Sequence, residues 1–336
     1  MDTNNIKFAF LAHPRNIKDL RKNYFLIKLV PEPIFKFLIK FLPPITLSKI
    51  TGLKNKNGEE ANGLIIAILL MPDQMLNLKR DFVQKKIIKA IKLAEKRGAK
   101  IAGLGALTSS VTNGGLDLIN KINIGITNGN NLTAAIALED VIKIIKERNL
   151  ANENHKIAIV GATGSVGSLI SKILAEKCKN LAIIARTAEN VEKLKKEINE
   201  INPLCNIVAS VKINDIENAD LIISTTAAAD AIIKPEYLKS GVIIYDITHP
   251  SNISKEVYNK PNISIIKGGL VKTPGINYHL NLGIPKETAF ACLTETMLLA
   301  VNNKFKNFSL GKTDINKMRE IYEYFQKSDF ASSPQI

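Results

Sequence analysis

The stretch KIAIVGATGSVGSLISKILAEK, residues 156–177, decides the fold of the second half of this chain. An apolar segment of strand character enters a turn with three glycines, and a segment with helical spacing of apolar residues leaves it. Gly161 permits a tight turn, Gly164 lets the backbone approach a phosphate, and Gly167 allows close packing of helix on strand. This pattern is typical of a dinucleotide-binding unit.

The turn supplies the predicted cofactor contacts. Free backbone N–H groups and the positive end of the helix dipole favour a pyrophosphate at this position. The residues that we expect to hold it are Gly161, Ala162, Thr163, Gly164, Ser165, Val166 and Gly167.

Five further apolar segments follow the turn, and helical segments separate several of them. They cover residues 181–185, 206–212, 220–226, 242–248 and 263–269. Such alternation predicts an α/β fold, namely a Rossmann doubly wound parallel-sheet NAD(P)-binding domain.

Residues at the ends of two of these strands refine the cofactor prediction. An NAD-specific domain usually places Asp or Glu after the second strand, but this chain has Arg186 and Thr187 there. A guanidinium suits a 2′-phosphate, so NADPH is favoured over NADH. The small residues Thr225 and Thr226, after the fourth strand, fit a place where the cofactor lies close to backbone; tight packing is the alternative.

The first half of the chain also alternates between strands and helices. Strands are predicted at 6–12, 64–70, 99–107 and 122–127, and long helices at 80–97 and 132–146, with a polar linker at 147–155. We therefore expect an N-terminal α/β substrate domain (1–152), the Rossmann domain (153–270) and a C-terminal helical segment (271–336) that completes the first domain.

Composition excludes several classes of protein. No apolar run is long enough to span a bilayer and the N-terminus lacks a secretory signal, which predicts a cytoplasmic location. Three cysteines and four histidines are scattered, so we expect no disulfide framework and no metal site.

The net charge of +15 has two interpretations, a Lys-rich solvated surface or a field that attracts an acidic partner. The charge is spread out and no nucleic-acid motif is present, so no nucleic-acid partner is expected. Residues 24–42 mix apolar residues with lysines. They predict a helix pair packed on its own domain, a cover over an acyl tunnel, or a surface that makes peripheral membrane contact.

A thiol is the second candidate functional group. Cys292 lies in PKETAFACLTET (285–296), in the first turns of a predicted helix, where the dipole favours a thiolate. Buried free cysteines are usually inert, so a structural role is the alternative. Cys178 and Cys205 fall inside the Rossmann domain and are predicted to be structural.

Several motifs in order along the chain resemble one family. They are HPRN (13–16), GLGALTSS (103–110), TNGNNLTAA (127–135), VGATGSVGS (160–168), IIART (183–187), KGGLV (267–271) and FACLTET (290–296). Together they resemble the long-chain acyl-[acyl-carrier-protein] reductases, which form fatty aldehydes, and their bacterial shikimate-dehydrogenase-like and semialdehyde-dehydrogenase-like relatives.

The resemblance implies an oxidoreductase that reduces a thioester through an acylated cysteine, a position that Cys292 occupies. NADPH would reduce the acyl-enzyme to an aldehyde. Candidate oxyanion donors are Ser109 in the loop 108–110, and Asn130 and Thr133 at a helix start; turn formation or helix capping is the alternative for each. The family's His and Tyr in the TNGNN region are replaced here by Leu132 and Ala135, so their roles do not transfer. On chemical grounds alone, His279 could supply the proton transfer instead.

Three functions remain open from sequence. The first is reduction of a long-chain thioester of acyl carrier protein or coenzyme A, and the charge suits both donors. The second is an NADP-dependent alcohol or ketone dehydrogenase of shikimate-dehydrogenase-like architecture, for which Lys92 or Lys100 could serve in acid–base chemistry. The third is a non-enzymatic NADP-binding protein. Assembly as a homo-oligomer is a further prediction.

Overall fold

The computed structural model describes residues 5–14, 17, 30–55, 57–226, 232–249 and 251–335. It divides into two compact units. Unit 1 comprises Met1–Leu132, Lys272–Gly311 and Glu320–Phe330, and unit 2 comprises Thr133–Val271, Lys312–Arg319 and Ala331–Ile336.

Unit 1 contains a five-stranded sheet. Its strands are β1 (Ile6–Ala12), β2 (Ile45–Ile50), β3 (Asn62–Ala67), β4 (Ile101–Leu104) and β5 (Gly125–Thr127). The spatial order is β2-β3-β1-β4-β5, with β2 antiparallel to β3 and the other pairs parallel. Parallel strands covered on both faces explain the continuous apolar runs of β1 and β3.

The helices of unit 1 lie along the chain between and after these strands. They are α1 (Glu32–Ile39), α2 (Pro72–Asn77), α3 (Arg80–Lys96), α4 (Leu107–Ser110), a 3₁₀ helix (Leu116–Lys121) and α8 (Ala291–Val301), which follows the short strand β13 (Thr288–Phe290). Helix α3 ends at Gly98, whose φ of +98° gives the left-handed conformation that commonly terminates helices.

Two helices cover opposite faces of the unit 1 sheet. Ala9 and Leu11 of β1 belong to the apolar cluster formed with α3. On the other face, a Cβ added to Gly103 of β4 would lie 2.2 Å from Oγ1 of Thr296 in α8. The sheet therefore lies between α3 and α8, and α8 packs directly on β1 and β4.

Unit 2 contains a six-stranded parallel sheet. Its strands are β6 (Ile157–Val160), β7 (Asn180–Ile184), β8 (Asn206–Ser210), β9 (Leu221–Ser224), β10 (Ile243–Asp246) and β11 (Ser264–Lys267). The order β11-β10-β9-β6-β7-β8 is that of a Rossmann fold, whose strand order reverses between β6 and β9. The predicted fold class is confirmed.

One face of this sheet is covered by α5 (Asn130–Glu147), α6 (Ser165–Ala175) and α7 (Ala188–Ile201), which share its larger apolar cluster. Short 3₁₀ segments at Ile213–Ile216 and Val257–Asn259 cover the other face. The short strands β12 (Leu270–Lys272) and β14 (Ala331–Ser332) pair at the Ser333 N–H and the Leu270 carbonyl, 3.0 Å apart. Helix α9 (Ile315–Gln326) completes the elements.

The units differ from the predicted domains in two places. The unit boundary falls after Leu132, inside α5, rather than in the polar segment 147–155, because α5 packs in the core of unit 2. Residues 271–336 do not form a separate segment: they are divided between the two units. The edge strand β2 was not predicted, because Ile45 and Leu47 point outward and Ser48 inward, the reverse of the usual alternation.

Candidate functional site

The glycine turn of unit 2 has the geometry expected from its sequence. Gly161 follows β6 with a φ of +86°. A Cβ on Gly167 would lie 2.4 Å from the Gly161 carbonyl oxygen, so only glycine fits there. Gly164 precedes α6 as its N-cap and makes no side-chain capping hydrogen bond, so no side chain covers the helix start, where a phosphate would bind.

Residues after β9 lie against this turn. The Thr225 hydroxyl donates to the carbonyl oxygens of Val160 at 3.0 Å and Gly161 at 3.2 Å. A Cβ on Gly161 would lie 2.8 Å from Cβ of Thr226. Both threonines therefore lie at the position where the strand order reverses, which is where doubly wound sheets bind ligands.

Arg186 and Thr187 follow β7 directly, and both side chains are exposed. Thr187 is the N-cap of α7 and makes no capping hydrogen bond with its side chain. Within the described residues Arg186 forms no ion pair, so its guanidinium is available to an anionic group.

A polar cluster after β10 was missed by sequence reasoning. Both carboxylate oxygens of buried Asp246 accept hydrogen bonds, Oδ1 from Thr248 Oγ1 at 2.6 Å and Oδ2 from Ser251 Oγ at 2.5 Å. Asn252 in the same loop donates to the Thr226 carbonyl. The cluster thus fixes the loop that supports the residues beside the glycine turn; an acidic residue ending an apolar strand was the available signal.

The thiol lies in unit 1. Cys292 is the second residue of α8; it is half-buried, whereas the other ten residues of that helix are buried. Gly129, in the turn before α5, lies against it: a Cβ added to Gly129 would be 2.3 Å from both Cα and Cβ of Cys292. The φ of Gly129 is +74°, so this close approach also requires glycine for backbone reasons.

The predicted preference for a thiolate is wrong for the free protein. Burial raises the pKa of Cys292 to about 12, and the neighbouring Glu295 raises it further, against the lowering effect of backbone N–H groups at the helix start. Desolvation outweighs the helix end because the first turn of α8 lies inside unit 1. The raised pKa therefore favours the protonated thiol at neutral pH.

Glu295 is a second functional residue that sequence reasoning missed. Its side chain is fully buried, one helical turn after Cys292. It accepts hydrogen bonds from the Thr127 hydroxyl and from the backbone N–H of Leu132, the latter at 2.8 Å. The backbone of Gly129 and the hydroxyl of Ser309 also bind it.

Burial raises the pKa of Glu295, while these donors oppose the shift. The carboxyl group fastens the turn 127–132 to α8, and thereby holds Gly129 against Cys292. A glutamate three residues after the cysteine and directly before the run TMLLA (296–300) was the sequence signal.

The candidate oxyanion donors have different surroundings. Asn130 follows Gly129, and its backbone N–H donates to Oδ1 of Asn128 at 3.0 Å. Ser109 is half-buried in α4, where its carbonyl accepts the Thr112 hydroxyl and the Gly114 N–H. Thr133 is the first residue of unit 2. Of these three, the structure connects Asn130 to the surroundings of Cys292, through Gly129.

The remaining predicted side chains, two histidines and two lysines, either contact a neighbouring group or are exposed. His13 of HPRN accepts the Leu107 N–H at 3.4 Å, and burial lowers its pKa; Arg15 and Asn16 lie outside the described residues. His279 contacts the Thr51 hydroxyl at 3.0 Å. Lys100 lies over the Phe305 ring, and Lys92 is exposed. Among the described residues neither lysine has an ion-pair partner.

The remaining predictions of absence concern metals and membrane spans. Across the described ranges there is no cluster of His, Cys, Asp and Glu that could hold a metal ion. No helix in the described part of the chain is long and apolar enough to cross a membrane. Cys178 and Cys205 are buried, and burial raises the pKa of both thiols, as fits a structural role.

Comparison with known proteins identifies relatives whose sequences are similar to this one over most of the chain. The chain is 26% identical to the long-chain acyl-[acyl-carrier-protein] reductase of Synechococcus elongatus, over 84% of this chain and 85% of that protein. The resemblance predicted from the motifs is confirmed. The chain is also 26% identical to aminotransferase PigE of a Serratia species. That alignment covers 98% of this chain but only 40% of the other protein.

Two further similarities cover shorter stretches. Glutamyl-tRNA reductase of Cyanophora paradoxa is 24% identical over 76% of this chain, which spans 61% of that protein. The shikimate / quinate 5-dehydrogenase family model matches residues 143–267. That range contains the glycine turn and five of the strands that follow it, but neither Cys292 nor Glu295.

Proposed function

We propose that this protein is an NADPH-dependent oxidoreductase that reduces long-chain acyl thioesters to fatty aldehydes through an acyl-enzyme at Cys292. The observation that carries the proposal is the thiol in the first turn of a buried helix, held against Gly129 by Glu295. Similarity to a long-chain acyl-[acyl-carrier-protein] reductase over 84% of the chain supports it.

The residues of unit 2 fit a dinucleotide. The uncapped start of α6 and the glycine positions provide N–H groups and space for the pyrophosphate, beside Thr225 and Thr226. Exposed Arg186 and Thr187 suit the 2′-phosphate that distinguishes NADPH from NADH. Bound NADPH supplies the hydride for the reduction.

The thiol of Cys292 carries the covalent chemistry. It loses its proton as the sulfur attacks the thioester carbonyl, and the proton leaves with the thiol of the acyl donor. The acyl group is then a thioester of Cys292. One hydride and one proton convert it to an aldehyde and restore the thiol, so the reaction is balanced.

Protein groups around Cys292 have two tasks. The raised pKa of the free thiol keeps Cys292 protonated until an acyl donor binds, so an activating group has to act in the complex. The negative oxygen that develops on the carbonyl needs a donor. We propose Asn130 for this role because it adjoins Gly129; Ser109 and Thr133 stay predictions.

Acyl carrier protein or coenzyme A is the proposed acyl donor, and both are acidic partners for a chain of net charge +15. Four further properties stay predictions. They are a cytoplasmic location, assembly as a homo-oligomer, peripheral membrane contact, and the absence of a nucleic-acid partner.

A second candidate is an NADP-dependent alcohol or ketone dehydrogenase without covalent catalysis. The shikimate / quinate 5-dehydrogenase match over residues 143–267 favours it. That match is confined to unit 2, which carries the cofactor residues, and so it does not identify the chemistry performed in unit 1.

Incubation of the purified chain with NADPH and palmitoyl thioesters of carrier protein or coenzyme A tests the proposal. NADPH consumption with release of hexadecanal is expected, and Cys292→Ala removes both. Without NADPH, intact-mass measurement should show one palmitoyl group on the wild type and on the control Cys205→Ala, but none on Cys292→Ala. Full turnover by Cys292→Ala would refute the covalent mechanism and favour the dehydrogenase.

A further inference from the structure

Helix α3 of unit 1 carries a row of lysines on one face. Lys85, Lys89, Lys92 and Lys96 are all exposed and are spaced by four, three and four residues. At about 100° per residue this spacing places them within one narrow sector, over a length of roughly 16 Å. We call these four residues the lysine row.

The lysine row points away from the core. Residues of α3 that are buried, such as Ile87 and Ala94, lie on the opposite side of the helix by the same geometry. Packing within unit 1 therefore does not require lysine at these four positions.

Few acidic side chains lie close enough in the sequence of α3 to balance the positive charge of the lysine row. Within the described residues none of its members forms an ion pair. Asp81 precedes Lys85 by four residues and Glu95 follows Lys92 by three, but Glu95 also accepts a hydrogen bond from Asn123. Like charges at this spacing repel one another in an isolated helix.

Helix α7 of unit 2 shows the contrast. Its exposed lysines, Lys193 and Lys196, each have a glutamate four residues before and four residues after them. Glu197 also pairs with Lys172 at 2.7 Å. The exposed lysines of α7 thus have acidic residues at helical spacing on both sides, whereas Lys89 and Lys96 of α3 have none.

We propose that the lysine row is the docking surface for an acidic protein, the carrier that delivers the acyl thioester. This inference rests on the proposed function and names the partner of the same unit that holds Cys292. Because α3 and α8 cover opposite faces of the unit 1 sheet, the acyl group on the carrier's phosphopantetheine arm has to pass an edge of the sheet to reach the thiol. Charge complementarity is the argument, because a row of uncompensated cations gains most from a partner that presents acids along one face.

An anionic bilayer is the competing occupant. Exposed apolar side chains of α1 and the following turn, including Phe37 and Phe41, border α3 where Lys86 Nζ donates to the Leu42 carbonyl. Lys86 lies about a quarter turn around α3 from the lysine row. A flat surface that met the apolar side chains would then contact the flank of α3 rather than the row, which favours a protein partner.

The test removes three charges in each of two variants. The first is Lys85→Gln, Lys89→Gln and Lys96→Gln combined, which leaves Lys92, the acid–base candidate of the alternative function, in place. Its matched control replaces three exposed helical lysines of unit 2 by Gln, namely Lys146, Lys193 and Lys196. Net charge changes equally in both, and Gln keeps the helix propensity of Lys. Thermal unfolding checks that both variants fold.

Steady-state kinetics with palmitoyl carrier protein and palmitoyl coenzyme A give the result. In the lysine-row variant we expect KM for the carrier thioester to rise about tenfold or more with kcat unchanged. KM for the coenzyme A thioester should stay the same, and the control should keep both values. Added salt should raise the wild-type KM for the carrier and affect the variant less.

Two outcomes would overturn the docking proposal, namely an equal rise in KM in both variants and an unchanged KM for the carrier in the lysine-row variant. If the KM is unchanged and the variant no longer sediments with anionic phosphatidylglycerol vesicles, the lysine row binds a bilayer instead. If the wild type reduces neither thioester, the proposed function fails. Titration of labelled, unacylated carrier protein then still tests docking, since the wild type and the control should bind it and the lysine-row variant should not.

Discussion

Gly129→Ala gives a direct test of the close contact between the turn and the thiol. The added Cβ would lie 2.3 Å from both Cα and Cβ of Cys292. Apolar carbon atoms pack at about 3.5–4.0 Å, so the turn and α8 have to separate by more than about 1 Å. Overpacking of this kind costs about 1–3 kcal/mol. The φ of +74° adds about 1 kcal/mol for alanine.

Gly275→Ala is the matched control. Gly275 also belongs to unit 1 and has a φ of +75°, but a Cβ there meets no atom within 4 Å. Urea unfolding should show a free energy of unfolding lowered by about 1 kcal/mol in Gly275→Ala and by about 2–4 kcal/mol in Gly129→Ala. The difference between the variants isolates the contact with Cys292.

Activity should follow the same contrast. A displacement of about 1 Å at a reacting group can lower the rate roughly a hundredfold, so kcat/KM for the palmitoyl thioester should fall by about that factor in Gly129→Ala. Gly275→Ala should retain wild-type turnover. Equal stability loss in the two variants, or normal acylation of Cys292 in Gly129→Ala, would refute the packing argument.

Because desolvation raises the pKa of Cys292 to about 12, inactivation by iodoacetamide should accelerate roughly tenfold per pH unit from about pH 7 to about pH 9; a plateau in that range would contradict the raised pKa. Gly167→Ala should weaken NADPH binding at least about tenfold in fluorescence titrations, since its Cβ would lie 2.4 Å from the Gly161 oxygen. Gly241→Ala, with φ +83° and open space, should leave that affinity intact. Arg186→Ala should raise the Kd for NADPH about tenfold and leave the Kd for NADH unchanged, because only NADPH carries the 2′-phosphate.

The Rossmann unit could be predicted in detail because its signals are local. Each buried strand is a continuous apolar run, and glycine at 161 and 167 follows from the backbone conformation and close packing of a single turn. The parallel, doubly wound arrangement came from the alternation of these strands with helices, and the sheet has the order β11-β10-β9-β6-β7-β8. These features depend on neighbours within a few residues.

The surroundings of Cys292 could be predicted only in part. Glu295 binds Thr127 and Leu132, which lie 168 and 163 residues away in sequence, and no local pattern reports such a pairing. The prediction that Cys292 favours the thiolate was wrong for a related reason. The helix start was visible in the sequence, but the burial that outweighs it depends on packing in unit 1.

The burial of helix α8 limits the amino-acid substitutions that this protein can tolerate. Ten of its eleven residues are buried, so the element that carries the proposed nucleophile has no outward side on which substitutions are tolerated. Substitutions that change the preferred acyl-chain length would therefore have to occur in the segments around α8. A mutagenesis library aimed at new chain lengths should spare 291–301 and diversify the turns that meet it.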